Sequence, residues 1–251
     1  MAEGFLVNFL IVGAQKGGTT ALAHFLASHP QICMAPCKEA HFFDYDHYRT
    51  LSYASFFPNY TGQIAIGEAT PIYMYLPWVA PRLYAYNPNF KLIVLLRSPV
   101  ERAYSHYQME RSRGWENLSF SKAIRLESWR LAWAKVSDPR ARTERSAWRT
   151  HSYGSRGFYS KQLHHLLQYF PRQNVLVLAS EKLKANHAKV LAEVYQFLEV
   201  EQVPPPAPDR LLVGNYAAAI APQDQAWLQH QYRHEILQLE QLLGWNLDSW
   251  R

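Results

Sequence analysis

Phe9-Leu-Ile-Val-Gly-Ala-Gln-Lys-Gly-Gly-Thr-Thr-Ala-Leu22 is the stretch on which the fold turns. Its opening apolar run, Phe9 to Val12, is too short for a helix and suits a strand buried on both faces. A turn holding Gly13, Gly17 and Gly18 follows, and Thr19 begins a pattern of apolar residues at helical spacing. A glycine-rich turn that feeds a helix offers an anion its unpaired backbone N–H groups and the positive end of the helix dipole. Close packing alone also makes such turns glycine-rich, but Lys16, Thr19 and Thr20 beside this one favour the anion. Laid over the nucleoside triphosphate loop G-x-x-x-x-G-K-[ST], Gly13 and Gly18 fit. Thr19, however, stands where the lysine belongs, and Lys16 sits inside the loop. The loop is predicted to hold a phosphate without being an ATP or GTP loop.

Working outward, Val-, Ile- and Leu-rich runs at 5–12, 64–66, 91–96 and 174–178 read as strands. Helical patterns cover 19–27, 99–111, 120–134, 159–169, 187–198 and 223–243. Strands separated by helices need crossover connections, which predicts an α/β fold with a mostly parallel sheet covered on both faces. Pro204 to Pro208, with four prolines in five residues, stops the preceding helix and reads as an extended connector.

The whole chain has 251 residues, 48% of them hydrophobic, which suffices for a substantial core and argues against disorder. It is expected to form one domain over 1–251, with a helical insertion at about 110–150. Cys33 and Cys37 alone make neither a disulfide framework nor a zinc site, so no structural metal is expected. The apolar start falls far short of the roughly 20 residues that a membrane-spanning helix needs. Met1 to Gly4 lacks a basic residue, so no secretory signal is expected either.

The net charge is +6. Between 110 and 161 lie twelve Lys/Arg and five Asp/Glu, a local excess of seven that exceeds that of the whole chain, together with Trp115, Trp129, Trp133 and Trp148. Two readings fit: a solvated helical face with tryptophans in the core, or a surface for an anionic partner.

The run Lys91-Leu-Ile-Val-Leu-Leu-Arg97 is a second strand of interest, followed by Ser98-Pro99-Val100-Glu101-Arg102-Ala103-Tyr104-Ser105. Where a kinase-like protein places a metal-binding Asp, this strand ends in an arginine, which suits a phosphate. Pro99 is tolerated early in the helix, and Ser105 lies about two turns into it.

Three motifs, occurring in order, now carry a resemblance: 9–20, Lys38-Glu39-Ala40-His41-Phe42-Phe43-Asp44, and Leu95-Leu96-Arg97-Ser98-Pro99-Val100-Glu101-Arg102-Ala103-Tyr104-Ser105. They resemble the sulfotransferases that use 3′-phosphoadenosine 5′-phosphosulfate (PAPS), above all the heparan sulfate type. The likeness continues through Arg156-Gly157-Phe158-Tyr159, Tyr169-Phe170-Pro171 and Ser180-Glu181-Lys182-Leu183 to Leu242-Leu243-Gly244-Trp245, so it covers nearly the whole chain. It implies a P-loop-like three-layer α/β/α fold. It also implies that Lys16, Gly17, Gly18, Thr19 and Thr20 hold the 5′-phosphosulfate and that Arg97 and Ser105 hold the 3′-phosphate. Arg156, Gly157 and Tyr159 would close over the adenosine and the 3′-phosphate, and 3′-phosphoadenosine 5′-phosphate (PAP) would be the product.

The same resemblance implies in-line transfer to a hydroxyl of a glycan, polyketide, lipid or small metabolite, with Glu39, or His41 beside it, as the base. Lys16 would stabilise the leaving phosphate. A sulfuryl group carries less charge than a phosphoryl dianion, so lysine and backbone amides suffice and no metal is expected. Were the 38–42 stretch extended, Glu39 and His41 would point to one side. Two departures stand out. Ala69 in Glu68-Ala69-Thr70-Pro71 replaces a lysine that heparan enzymes use near the acceptor, and Val213-Gly214-Asn215-Tyr216 replaces their Lys-Gly-Arg loop. The resemblance thus implies sulfuryl transfer more strongly than a heparan acceptor. The alternatives are a P-loop nucleotide kinase, disfavoured by the missing loop lysine, and a non-catalytic polyanion-binding module, supported by the basic 110–161 stretch. Nucleic acid is not an expected partner. A cytoplasmic enzyme, or a soluble catalytic domain of a larger protein, is the expected setting.

Overall fold

A computed structural model describes residues 5–46, 51–207 and 219–251. The chain divides into two compact units, Met1–Leu96 with His165–Val213, and Arg97–His164 with Gly214–Arg251. Its strands are β1 (Phe9–Gly13), β2 (Ile32–Met34), β3 (Ala65–Ala69), β4 (Lys91–Leu96) and β5 (Val175–Ala179). Helices α1 (Thr19–Ala27) and α2 (Val79–Tyr86) precede β4 in the chain. Between β4 and β5 come α3 (Pro99–Ser112), α4 (Phe120–Arg125), α5 (Glu127–Ser137), α6 (Ala147–Thr150) and α7 (Tyr159–Leu167). After β5 come α8 (Ser180–Ala185), α9 (His187–Leu198) and α10 (Pro222–Leu243).

The first unit is built on a five-stranded sheet in the order β2-β3-β1-β4-β5. Every pairing is parallel, with Leu10 opposite both Glu68 and Leu92. Side chains alternate across it. Phe9, Ile11, Ile93, Leu95 and Leu178 share a buried core with Leu22 and Leu26 of α1, Leu183 of α8, and Leu191 and Val194 of α9. Truncating one of these to Ala costs about 2–5 kcal/mol. Leu10, Val12, Leu92 and Val94 point the other way, also fully buried. Glu68 lies on that second face and meets Tyr53, part of an aromatic cluster with Phe43, Tyr86 and Phe90. Helices on the sheet, no antiparallel strand among the described residues, and the helical stretch at 120–150 are the predicted α/β architecture.

Several boundaries differ from the sequence reading. The strand expected at 5–12 starts at Phe9, and the one expected at 64–66 runs on to Ala69. A three-residue edge strand, β2, is too short to show a period. Helix α2 carries Pro81, which reads as a breaker but falls in the first turn, where its missing N–H breaks no bond. The helix expected over 120–134 is two helices, because Leu126 ends α4 and starts α5.

In the second unit, buried polar groups rather than a sheet fix the chain. Arg102, fully buried on α3, donates to the Tyr153 carbonyl. Glu127 of α5 accepts from the N–H groups of Gly154 (2.5 Å) and Ser155 (2.7 Å). Glu235 of α10 accepts from Ser160 N–H (2.5 Å) and Oγ (2.7 Å). Desolvation raises both carboxyls above the ordinary Glu range, and these hydrogen bonds oppose that rise.

Candidate active site

The glycine loop is shaped by its own backbone. Gly18, at φ +98°, is the N-cap of α1, and no side chain caps that helix start. An uncapped N-terminus behind a glycine turn is an anion cradle. Ala14 N–H donates to the Leu95 carbonyl (2.8 Å), and Gly17 N–H donates to the Ala14 carbonyl (2.8 Å). A Cβ on Gly17 would lie 2.4 Å from the Leu95 oxygen, so only glycine fits there. Lys16 sits in the left-handed region at φ +69°, Thr19 is buried and Thr20 is half-buried.

Glu39 (φ +59°) and His41 (φ +50°) are also left-handed. The extended form of 38–42 is therefore not what the chain adopts, yet the two side chains still converge, through local bends in place of strand alternation. His41 Nε2 lies 3.4 Å from Glu39 Oε2, and His41 Nδ1 lies 2.8 Å from Asp44 Oδ2. Among the described residues, five other than glycine have positive φ, and three of them are the predicted catalytic residues Lys16, Glu39 and His41. Such backbone strain persists only where the surroundings hold it, and it concentrates at functional sites.

What holds it is visible. His41 N–H donates to Thr70 Oγ1 (3.3 Å), and Thr70 Oγ1 donates to Glu68 Oε2 (2.7 Å). Phe42 and Phe43 N–H both donate to Tyr73 Oη, at 2.9 and 3.3 Å. Tyr53 Oη donates to Glu68 Oε1 at 3.1 Å, and Tyr73 also bonds Glu68. One fully buried carboxylate on β3 thus anchors the hydroxyls that fix three successive amides of the Glu39–Asp44 loop.

Burial opposes charge on the His41 ring, but the hydrogen bonds and charges of Asp44 and Glu39 outweigh it and lift the ring to about 9. His41 is therefore an imidazolium at neutral pH. Burial pushes Glu68 up to about 7 against the hydrogen bonds of Thr70, Tyr53 and Tyr73. The roles of Asp44 and Glu68 escaped the sequence reading. The local signals were Asp44 three residues after His41 and Thr70 two after Glu68, whereas the Tyr53 partner of Glu68 comes from another segment.

The other predicted residues belong to the second unit. Arg97 follows β4 and pairs with Glu101 at 2.7 Å, and Tyr159 Oη donates to the Arg97 carbonyl at 3.0 Å. Ser105 is buried on α3. Arg156 is buried, with its guanidinium donating to Ser152 Oγ (2.6 Å) and to the Trp148 (2.9 Å) and Arg149 (2.8 Å) carbonyls. Gly157 packs against Tyr232, whose hydroxyl oxygen a Cβ would strike at 2.5 Å. Val213, Gly214, Asn215 and Tyr216 lie outside the described residues. Of the four tryptophans in the basic stretch, Trp129 and Trp133 are 68% and 66% exposed, so they are not core anchors. Trp115 is half-buried, with Arg113 and Arg145 over its ring. No helix among the described residues is long and apolar enough to cross a membrane.

A sulfotransferase domain family matches residues 7–207. Human heparan sulfate glucosamine 3-O-sulfotransferase 6 is 38% identical over 197 residues, which are 77% of this chain and 52% of the relative. The chain therefore spans about half the length of the curated relatives of that kind. A crystal structure of a sulfotransferase from Alicyclobacillus acidocaldarius superposes with a TM-score of 0.82 at 28% identity, covering 99% of this chain and all of that one. Mouse sulfotransferase SULT7A1, solved in complex with PAP, has a TM-score of 0.53 at 14% identity over 97% of this chain and 87% of that one, a likeness of fold alone.

Proposed function

The chain belongs to the sulfotransferase domain family, and from that membership we propose that its sulfuryl donor is PAPS and its acceptor a hydroxyl of a carbohydrate. PAPS supplies the activated sulfuryl group and leaves as PAP. Lys16, Gly17, Gly18, Thr19 and Thr20 hold the 5′-phosphosulfate end. The uncapped start of α1 and the close backbone approach at Gly17 fit an anion, which supports this assignment. Arg97 and Ser105 hold the 3′-phosphate. Tyr159 and Gly157 shape the segment that covers the adenosine, with Arg156 bracing it through backbone carbonyls.

Glu39 is the base. It takes the proton of the acceptor hydroxyl as that oxygen bonds to sulfur and the bond from sulfur to the 5′-phosphate oxygen breaks. Lys16 offsets the charge that then gathers on the 5′-phosphate. His41, already protonated, has no proton vacancy for the acceptor; held by Asp44, it orients Glu39. The observation that carries this reading is the convergence of Glu39 and His41, both on left-handed backbone, with Asp44 in the unit that also holds the glycine-rich loop.

The test has two arms. PAP should raise the melting temperature where ATP does not, since a ligand that binds only the native state stabilises it. Incubation with sulfur-labelled PAPS should move label to a hydroxyl compound. Stabilisation by Mg-ATP with ATP turnover would replace the reading with a kinase.

A further inference from the structure

The sheet unit carries a cleft of about 580 Å³ that starts at Glu39 and runs between α1 and the β2 edge of the sheet. That volume lies within the range of roughly 300–1,000 Å³ typical of sites for compact organic ligands. Of its lining side chains only Lys38 and Glu39 carry a fixed charge, and the two cancel. His29 adds none: Gln31 N–H donates to its Nδ1 (3.0 Å) and its Nε2 meets the Glu201 carbonyl (2.9 Å), which is the neutral ring. His24 is the remaining titratable side chain besides the two cysteines. Ala23, Ala27, Met34, Pro36 and Pro71 give the cleft an apolar wall, and Thr20, Asn59 and Gln63 give it hydroxyl and amide groups.

A sulfated polymer is recognised by several Lys or Arg forks, and each anion desolvated without one is costly. This cleft offers one lysine, already opposed by a glutamate. The basic residues that give the chain its positive charge are concentrated at 110–161, outside the lining. We infer that the cleft beside Glu39 is the acceptor site and that it selects an uncharged, partly apolar hydroxyl compound of neutral-glycoside type over a sulfated glycan. The sugar hydroxyl faces Glu39, and the apolar ring face or aglycone lies along Met34, Pro36 and α1. This rests on the sulfuryl-transfer reading for its chemistry but not for its binding.

Cys37 lies on the cleft wall and is exposed, while Cys33 is buried, so alkylation of Cys37 by iodoacetamide reports occupancy without turnover. Octyl β-glucoside below its micelle concentration should slow that alkylation about threefold or more, independently of salt, by mass action. An N-sulfated heparan disaccharide at low ionic strength should leave it unchanged. Protection by the sulfated disaccharide alone, or by neither compound, overturns the inference. Transfer from labelled PAPS supplies the second arm: label should enter neutral glycosides, and Ala69→Lys should shift it toward sulfated ones. Label on sulfated glycans alone overturns the acceptor assignment while leaving sulfuryl transfer intact. Cys37 protection without any PAP binding would instead overturn the donor reading and leave the cleft assignment standing.

Discussion

Glu127 and Glu235 in one compact unit, and Glu39 and Asp44 in the other, are carboxylates withdrawn wholly or partly from water that end on different partners. The first pair accepts backbone N–H groups and a serine hydroxyl, and so locks the chain on either side of Arg156 and Tyr159. The second pair meets on one imidazole. A carboxylate bonded to amides is part of the scaffold, and its loss leaves buried donors unsatisfied. A carboxylate bonded to a titratable ring remains able to exchange a proton.

Isosteric substitutions break or sharpen this contrast. The largest effect belongs to Glu39→Gln, which should lower turnover by about 10²–10⁴-fold, the usual worth of a general base, with PAP affinity unchanged and melting temperature lowered only by the loss of its pairing with the His41 ring. A loss of stability as large as that of Glu127→Gln would place Glu39 with the scaffold carboxylates. Glu127→Gln should do the reverse and cost about 1–3 kcal/mol in denaturant unfolding, because the amide presents a donor to an N–H. Its PAP affinity should fall before its turnover does.

A smaller effect concerns pH. The folded-state value of His41, about 9, is above its ordinary 6.5, so the stability it contributes is complete below 6.5 and is lost as pH rises through 9. Glu68, at about 7 instead of 4.5, likewise contributes stability that is lost as pH rises from 4.5 through 7. Melting temperature should therefore decline in two stages. Glu68→Gln should remove the acid-side stage, and Asp44→Asn should shrink the alkaline-side one; a profile unchanged in both variants sinks the account. The smallest effect is that of Trp133→Ser, which removes an exposed ring and should change stability by no more than about 0.5 kcal/mol.

The glycine-rich loop was legible because its signal is contiguous: apolar run, glycines, lysine and threonines all fall within 9–22, and strand, turn and helix each follow from local chemistry. Arg97 was legible for the same reason, standing directly after an unbroken apolar strand. Glu39 and His41 are marked by a motif, but their convergence does not come from strand alternation, since this loop bends left-handed at both residues. Glu68 illustrates the limit. Tyr53 and Glu68, and His41 and Thr70 29 residues apart, meet only once the fold brings their segments together.

From its order of residues alone, the chain determined an alternating α/β pattern, a turn suited to an anion, and the residue types available for sulfuryl transfer, because propensity, turn chemistry and charge act over a few residues. Only the tertiary structure decided that His41 is held protonated between two carboxylates. It alone decided that a buried glutamate braces the loop from beneath and that the fixed charges lining the cleft beside Glu39 cancel. Burial and the meeting of distant segments set those properties, and neither is written in any local stretch.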